Sequence, residues 1–379
     1  MIDPVFLKRV VLSNYKSIKE CSVTLGPLTF LLGQNGAGKS NFLDALRLVA
    51  ESLNTSLEHA LRERGGIKEV RRRSAGHPTH FGIRLEWQLS NVTEGVYAFR
   101  VGAQEKGGFE IQQEECRVFQ QGLLEESFYK VGDGQLRESS FKVGPTASSD
   151  RLYLVAASGL EPFRPLYDAL SHMGFYNLNP DEIRELQPPD PGEVLKRDGS
   201  NLASVLDAMS KENQEAHDRV IAFLSKVMPG IQGINVKHIG KKETLEFRQL
   251  VGTNQAPWRF MAENMSDGTL RALGVLTALL QSSNGRGKRV PFVGIEEPEV
   301  AVHPGAAGIL RDGLRTASKV TQVASPDEAG RSAIRDRLYT AGELLRLNQL
   351  EPDEAAVDKI PPHQLDLPTR RIFAGQRNG

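Results

Sequence analysis

The sequence predicts an α/β fold with a mixed central sheet, an antiparallel β lobe and a short helical insertion. Three observations support this prediction. A glycine-rich loop near residue 33 stands between an apolar strand pattern and a helical pattern. Short alternating runs separated by polar turns fill residues 80–142, and a second apolar strand pattern near residue 290 ends in two glutamates. Buried strands that alternate with helices are typical of α/β proteins, whereas alternating runs indicate antiparallel strands.

The composition of the chain is that of an ordinary globular protein. Hydrophobic residues make up 39% of the 379 residues, and Lys+Arg and Asp+Glu are both 47, so the formal net charge is zero. This balance gives no global argument for nucleic-acid binding. No apolar run is long enough to span a membrane and the first residues lack signal-peptide features, so we expect a cytoplasmic protein without a membrane partner. The two cysteines, Cys21 and Cys116, are expected to be buried free thiols.

We expect one folded unit over residues 1–379, built from two lobes. The first lobe, residues 1–150, contains the glycine-rich loop and the antiparallel strands. A short helical insertion covers residues 151–232, the second lobe covers residues 233–350, and a C-terminal tail covers residues 351–379. Pro188, Pro189 and Pro191 interrupt the insertion, and this excludes a long coiled coil.

The glycine-rich loop from Gly33 to Ser40 has the spacing G-x-x-x-x-G-K-S. Glycines allow the main chain to bend around an anion, so that its N–H groups face phosphate oxygens. Lys39 supplies a cation for the β- and γ-phosphates, and the Ser40 hydroxyl is a ligand for Mg²⁺. We therefore expect a nucleoside triphosphate to contact Gly33, Gln34, Asn35, Gly36, Ala37, Gly38, Lys39, Ser40 and Asn41.

The apolar strand pattern of residues 290–295 ends in Glu296 and Glu297. Two adjacent carboxylates at a strand end suit a nucleotide site, because one holds the Mg²⁺ shell while the other polarises the attacking water. We assign Glu296 to Mg²⁺ and Glu297 to the catalytic base. The alternative is a pair of solvated acids before Pro298, which the presence of the glycine-rich loop disfavours.

Ser266 precedes a helical pattern whose apolar face carries leucines at residues 270, 273, 276 and 280. A serine at this place predicts an N-cap, and Gly268 permits a close approach of another backbone. Taken alone, the segment favours a capped core helix without a ligand role. The order of the motifs along the chain changes this interpretation.

That order resembles the RecF/SMC-like ABC-type ATPases, and the chain is most similar to the small stand-alone, OLD-like ATPase heads of that group. The resemblance covers nearly the whole chain, and it rests on residues 14–18, 33–41, 196–203, 265–271, 294–304 and 339–345. It implies a P-loop NTPase fold of the ABC type, with ATP and Mg²⁺ as cofactors and with Lys39 and Glu297 acting in ATP hydrolysis.

The resemblance also implies a homodimer in which two heads sandwich two ATP molecules. Ser266 and Gly268 of one head would then touch the γ-phosphate held by Lys39 and Ser40 of the other. His303 either reaches across this seam or is an exposed loop residue. The implied role is an ATP-gated switch in a DNA-related process such as repair or phage defence. The alternative is a non-hydrolysing assembly module that regulates a partner effector protein.

One feature departs from that group, whose members carry a switch histidine in a Thr-His-Ser-Pro segment after the next strand. Here residues 319–323 begin such a strand, Ala324 and Ser325 follow, and no histidine occurs between His303 and His363. Either hydrolysis is slow without the histidine, or a segment after Val323 is absent from the sequence. The second explanation is favoured, because a core strand is expected to end too early at Val323.

A basic segment follows the first predicted helix. Its cations would meet DNA phosphates without sequence specificity, or acids across a dimer, or solvent on a face shared with Glu63 and Glu69. The solvated or interface interpretation is favoured, since acids lie among the cations. No aromatic residues alternate with these cations, so any contact with nucleic acid would be non-specific. The residues concerned are Arg62, Arg64, Lys68, Arg71, Arg72 and Arg73.

Overall fold

The computed structural model describes residues 6–33, 36–74, 78–105, 107–122, 126–252, 256–281, 290–296, 298, 304–327 and 344–346. Its first part contains β1 (Leu7–Tyr15), β2 (Ile18–Thr24), β3 (Leu28–Leu32), α1 (Lys39–Asn54), α2 (Leu57–Arg62), α3 (Ile67–Val70), β4 (His80–Ser90), β5 (Thr93–Ala103), β6 (Phe109–Gln120), β7 (Ser127–Gly132) and β8 (Gln135–Ser139).

The next part contains α4 (Tyr153–Ala157), α5 (Arg164–Ser171), β9 (Gly174–Tyr176), α6 (Pro180–Arg184), α7 (Leu202–Glu212) and α8 (Gln214–Val227). The last part contains β10 (Ile231–Ile239), β11 (Lys242–Gln249), β12 (Trp258–Met261), a 3-10 helix (Ala262–Asn264), α9 (Asp267–Leu280), β13 (Phe292–Ile295), α10 (Pro304–Ala317), β14 (Gln322–Asp327) and β15 (Leu344–Arg346).

Among the described residues, seven strands form the antiparallel lobe that the alternating runs predict, in the order β2-β1-β4-β5-β6-β7-β8. The alternation is clear in β4, where Phe81, Ile83, Leu85 and Trp87 are buried and the residues between them are partly exposed. Successive side chains of a strand point to opposite faces, so this pattern buries one face of the sheet. The prediction of an antiparallel β lobe is therefore confirmed.

A buried carboxylate ties this lobe to α4. Oε1 of Glu114 on β6 accepts hydrogen bonds from the hydroxyls of Tyr97 (3.2 Å) and Tyr129 (2.9 Å) and from the Leu154 N–H (2.8 Å). Its Oε2 accepts one from the Tyr153 N–H at 2.5 Å. Burial raises the pKa of Glu114 to about 7, against the lowering effect of these four donors.

The second sheet is the core of the α/β fold. In the part of the chain that the structure describes, its five strands run in the order β15-β3-β14-β13-β9, and every pairing among them is parallel. Parallel sheets are covered on both faces, which explains why β3 and β13 are continuous apolar runs rather than alternating ones. The fold class predicted from the sequence is confirmed, with parallel and antiparallel strands placed in separate sheets.

This parallel sheet divides two apolar clusters. Phe292 on β13 faces the cluster formed with the antiparallel lobe, α1, α4 and α5. The adjacent Val293 faces the cluster formed with α6, α7, α8, α9, α10 and the strands β10 and β11. On β14, Ala324 faces the first of these clusters and Val323 faces the second. The sheet therefore lies between the lobe that contains α1 and the helices that include α9.

A buried glutamine joins the two large sheets. Gln322, the first residue of β14, accepts from the N–H groups of Leu7 (2.8 Å) and Phe6 (3.2 Å). Its amide donates to the carbonyls of Leu7 (2.8 Å) and Gly26 (3.0 Å). All four contacts are with main-chain groups. The side chain therefore supplies hydrogen bonds between the two sheets at a place where their strands do not pair with each other.

Residues 151–232 differ from the short helical insertion predicted for them. They contain the helices α4 to α8, but they also contain β9, which pairs with β13 and forms one edge of the parallel sheet. Helices α4 and α5 pack with the antiparallel lobe, whereas α6, α7 and α8 pack on the other side of the sheet. The segment is therefore partly a component of the core.

Strand β14 does not end at Val323, where the sequence interpretation placed a premature stop. Its pairing with β3 continues from Val323 and Leu28 to Asp327 and Leu32. Ser325 and Pro326 thus complete a strand that reaches the same height as β3. The predicted free thiols, Cys21 and Cys116, are both buried and unbonded. No helix in the described part of the chain is long and apolar enough to cross a membrane.

Candidate functional site

The glycine-rich loop joins the end of β3 to the start of α1. Gly36 (φ 84°) and Gly38 (φ 92°) adopt left-handed backbone conformations that favour glycine. A Cβ added at Gly38 would also lie 3.1 Å from Cγ1 of Ile18 and 3.2 Å from Oγ of Ser17. The turn therefore requires glycine at these two positions. Gln34 and Asn35, which were predicted to contact the nucleotide, lie outside the described residues.

Lys39 is the first residue of α1 and is buried. Its Nζ donates to the carbonyl of Gly33 at 2.8 Å, so the side chain folds back over the loop. Ser40 is exposed in the first helical turn, and the Asn41 amide donates to Oγ of Ser17 at 2.8 Å. No described side chain caps this helix. Its first N–H groups and its dipole therefore suit an anion such as a phosphate.

A cluster of ion pairs anchors α1 behind the loop. Asp44 accepts from the Tyr15 hydroxyl at 2.8 Å and pairs with Lys16 (2.5 Å), Arg47 (2.6 Å) and Arg64 (3.0 Å). Burial alone would raise the pKa of Asp44. The charge of Arg64 and the hydrogen bonds from Lys16 and Arg47 outweigh that effect and hold the pKa below its usual range.

This cluster corrects one part of the predicted basic surface. The Arg64 side chain is only 3% exposed and also pairs with Glu51 at 2.5 Å, so it does not face a DNA phosphate. Arg73 pairs with Glu69, and Arg71 donates to the carbonyl of Pro78 at 2.6 Å. Arg62, Lys68, Arg71, Arg72 and Arg73 stay predicted members of the surface, and Arg62 contacts His59 at 3.1 Å.

Glu296 follows β13 directly. The strand register places Gly294 beside Ala324 and Ala324 beside Thr29, so Glu296 lies at about the height of Leu31. Only β14 separates β13 from β3, which corresponds to roughly 10 Å between the two strands. The sheet thus brings Glu296 and the glycine-rich loop to one edge. Glu297 and His303, which were assigned from the sequence, lie outside the described residues.

The residues at this edge fit a magnesium nucleotide. Among the described residues, no group of three or more His, Cys, Asp or Glu side chains is arranged to hold a metal ion. Mg²⁺, however, is commonly bound by one or two carboxylates together with phosphates and water. Ser40 and Glu296 would be the ligands that the protein supplies to Mg²⁺. The bound metal would neutralise phosphate charge during transfer.

Two arginines that the sequence interpretation did not assign to the site lie against it: one contacts the predicted residue Glu296, and the other contacts the immediate neighbours of Ser266. Arg197 Nη2 lies 3.2 Å from Oε1 of Glu296. Arg184 pairs with Asp267, between Ser266 and Gly268, and its Nη2 lies 3.4 Å from the carbonyl of Met265. The only sequence signal was that residues 196–203, which include Arg197, belong to a segment that resembles the OLD-like group.

Ser266 caps α9, as its residue type predicts. Its Oγ accepts from the Thr269 N–H at 3.3 Å, and the predicted apolar face of the helix is buried. Ser266 and Asp267 are exposed, and Gly268 is partly exposed. The start of α9 packs in the apolar cluster opposite that of α1, with Met265 and Leu270 on one side and Phe42 and Leu43 on the other.

Comparisons with known proteins agree with this architecture. A family model described as "AAA domain, putative AbiEii toxin, Type IV TA system" matches residues 28–319. The chromosome partition protein Smc of Desulfitobacterium hafniense (strain Y51) is 26% identical over 244 residues. That match covers 58% of this chain and 19% of the relative, so the chain spans about a fifth of that protein.

Two solved structures of SMC heads are similar to this chain, and the first of them shows the likeness of fold. One is an Smc head bound to the C-winged helix domain of ScpA, with a TM-score of 0.53 and 14% identity over 86% of this chain and 90% of that one. Another is an Smc head with an extended coiled coil bound to the C-terminal domain of ScpA derived from Pyrococcus furiosus. It has a TM-score of 0.49 and 10% identity over 85% of this chain and 89% of that one.

Proposed function

This chain belongs to the AAA-domain family whose model matches residues 28–319, and we propose that it binds ATP with Mg²⁺ and hydrolyses it. The observation that carries the proposal is the shared edge of the parallel sheet. There the glycine-rich loop, the buried Lys39 and the first turn of α1 stand two strands away from Glu296. This arrangement offers cations and N–H groups to phosphates and a carboxylate to the metal.

In this proposal Gly33 to Asn41 hold the phosphates, and Ser40 and Glu296 hold Mg²⁺. Glu297 polarises the attacking water. Ser266 and Gly268 take no part within the same chain, since α9 begins on the opposite side of the sheet from α1. Their exposure suits contact with a γ-phosphate on a second copy, so that ATP binding favours a homodimer and hydrolysis removes that preference. We further propose a single head over residues 1–379, with one lobe over residues 1–150, a second lobe over residues 233–350 and a C-terminal tail over residues 351–379.

The first experiment measures phosphate release and oligomeric state for the wild type and three variants. Lys39→Ala should abolish ATP binding. Glu297→Gln should lower the hydrolysis rate at least about 100-fold, as loss of a general base does, and should accumulate an ATP-dependent dimer. Glu215→Gln is the matched control, because this exposed carboxylate on α8 pairs only with Arg219 among the described residues. Equal hydrolysis rates for Glu297→Gln and wild type would exclude Glu297 as the base.

A second candidate function is a nucleotide-dependent assembly module that regulates a partner effector with negligible turnover. It is favoured by β14, which ends in Ser325, Pro326 and Asp327 without the histidine usual in ATPases of the resembling group. This module would form the ATP-dependent dimer in the wild type as well as in Glu297→Gln. The process that either function serves, DNA repair or phage defence, is proposed from the family resemblance alone.

A further inference from the structure

Arg197 occupies a defined place at the site edge. Its main chain runs beside the residues that leave β9, where the Asn177 N–H donates to the Arg197 carbonyl at 2.9 Å and the Asn179 N–H to that of Asp198 at 3.0 Å. On the other side of β9, the Glu296 N–H donates to the Tyr176 carbonyl at 2.8 Å. Main-chain hydrogen bonds thus fix both partners of the Arg197–Glu296 pair to the same strand.

The turn that carries Arg197 is tightly held. The Gly199 N–H donates to the Lys196 carbonyl at 3.0 Å, and the Lys196 N–H donates to Oδ1 of Asn201 at 2.8 Å. Gly199 has φ 84°, and a Cβ there would lie 2.8 Å from Cγ1 of Ile183. The backbone of the turn therefore has little freedom, so a change at Arg197 is confined to its side chain.

The Arg197 side chain is 42% exposed, whereas that of Glu296 is 17% exposed. The arginine thus reaches from solvent to a more enclosed carboxylate. A partly exposed ion pair of this kind is weak and is readily exchanged for a stronger cation. Mg²⁺ bound to a nucleotide at this edge is such a cation.

We propose that Arg197 is a positioning residue that neutralises Glu296 in the metal-free protein and competes with Mg²⁺ for its carboxylate. The inference rests on the proposed function, because it takes Glu296 as the metal carboxylate. Arg197 then has opposite effects on the binding of the nucleotide and on the binding of Mg²⁺. Arg197 helps the metal-free site to accept a nucleoside triphosphate, because an uncompensated Glu296 repels the phosphates. It also raises the Mg²⁺ concentration that the site needs.

The experiment follows binding of a ribose-labelled fluorescent ATP analogue, first in EDTA and then during a Mg²⁺ titration. Arg197→Gln should weaken binding in EDTA by about two- to fivefold and lower the half-saturating Mg²⁺ concentration by about the same factor, the size of a partly exposed ion pair. Arg197→Lys should keep most of both effects, because the charge remains. These measurements do not require hydrolysis.

Lys196→Gln is the matched control. It removes a charge from the neighbouring residue, whose Nζ pairs with Asp190 at 3.2 Å instead of with Glu296. Lys196→Gln should change neither the binding of the analogue in EDTA nor the half-saturating Mg²⁺ concentration. In a Glu296→Gln background, Arg197→Gln should have no further effect on either quantity, because its partner charge is gone.

Two results would overturn the proposal. One is an Arg197→Gln variant that behaves like Lys196→Gln, and the other is an Arg197→Gln effect of full size in the Glu296→Gln background. Failure of the wild type to bind the analogue under any condition is a different outcome. It overturns the proposed nucleotide site, and this inference with it, whereas normal wild-type binding with an unresponsive Arg197→Gln overturns only the inference.

Discussion

Two buried carboxylates show how the neighbours of a residue decide its charge. Asp44 has three cations within ion-pair distance, and its pKa lies below the usual range. Glu114 has four hydrogen-bond donors and no ion-pair partner among the described residues, and burial raises its pKa to about 7. Donors alone do not replace the solvation of a fully buried charge. The first carboxylate is stabilised as an anion, whereas the second is stabilised as an acid.

Glu114 should make stability depend on pH. Its pKa is raised to about 7 in the folded protein from 4.5 in the exposed chain. The folded state thus binds the extra proton between these values, and stability falls as the pH rises from about 5 to 7. Glu114→Gln should remove this dependence, which amounts to at most about 3 kcal/mol in the free energy of unfolding.

The measurement is urea unfolding of the wild type and the Glu114→Gln variant at a series of pH values. Glu115→Gln is the control, because Glu115 is the next residue of β6 and faces Arg84 on the other side of the strand. Glu115→Gln should keep the wild-type pH profile. If the Glu114→Gln and wild-type profiles have the same slope between pH 5 and 7, Glu114 does not titrate in this range.

At the level of elements, the start of α9 combines a structural role and a proposed ligand role in Ser266. Ser266→Ala removes the cap on Thr269 and should destabilise the protein by about 1 kcal/mol. Ser266→Asp keeps a capping oxygen and should leave the free energy of unfolding nearly unchanged, while its charge should repel a γ-phosphate and reduce ATP-dependent dimerisation. Thermal unfolding and sedimentation with ATP separate the two roles.

Ser210→Asp is the control for the charge, because Ser210 lies on α7 and, within the described residues, its hydroxyl bonds only to the Asp207 carbonyl of its own helix. Ser210→Asp should change the free energy of unfolding by no more than about 0.5 kcal/mol and should leave ATP-dependent dimerisation unchanged. Dimerisation of Ser266→Asp at the wild-type level would argue against the proposed contact with the second copy.

Elements differed in how well the sequence predicted them. The glycine-rich loop and the cap of α9 were predicted because their residues act within a few positions of each other. Strand β9 was missed because three residues, Gly174 to Tyr176, carry no periodicity, and its conformation depends on pairing with β13. The contacts of Arg197 with Glu296 and of Arg184 with Asp267 join residues 99 and 83 positions apart, which no local pattern reveals.

At the scale of the whole molecule, Gln322 connects the antiparallel lobe to the parallel sheet. Gln322→Leu keeps a similar volume but leaves the buried main-chain groups of Phe6 and Leu7, and the partly buried carbonyl of Gly26, without this partner. We expect a loss of about 3 kcal/mol or more in the free energy of unfolding, because each unsatisfied group costs about 1–3 kcal/mol. Urea unfolding at neutral pH measures this loss.

Gln214→Leu is the control for this substitution, since Gln214 is exposed at the start of α8 and contacts Asp218 of its own helix. Its effect should stay within about 0.5 kcal/mol. Equal stability of Gln322→Leu and wild type would show that the two sheets do not depend on this side chain.

The position of β14 also has a consequence for biosynthesis. This strand lies between β3 and β13, and Gln322 bonds to Leu7 across 315 residues of sequence. During translation the glycine-rich loop is synthesised before β14. The position of β14 sets the distance between this loop and Glu296. The antiparallel lobe is therefore expected to fold first, and the two halves of the site to meet only when residues 322–327 have left the exit tunnel.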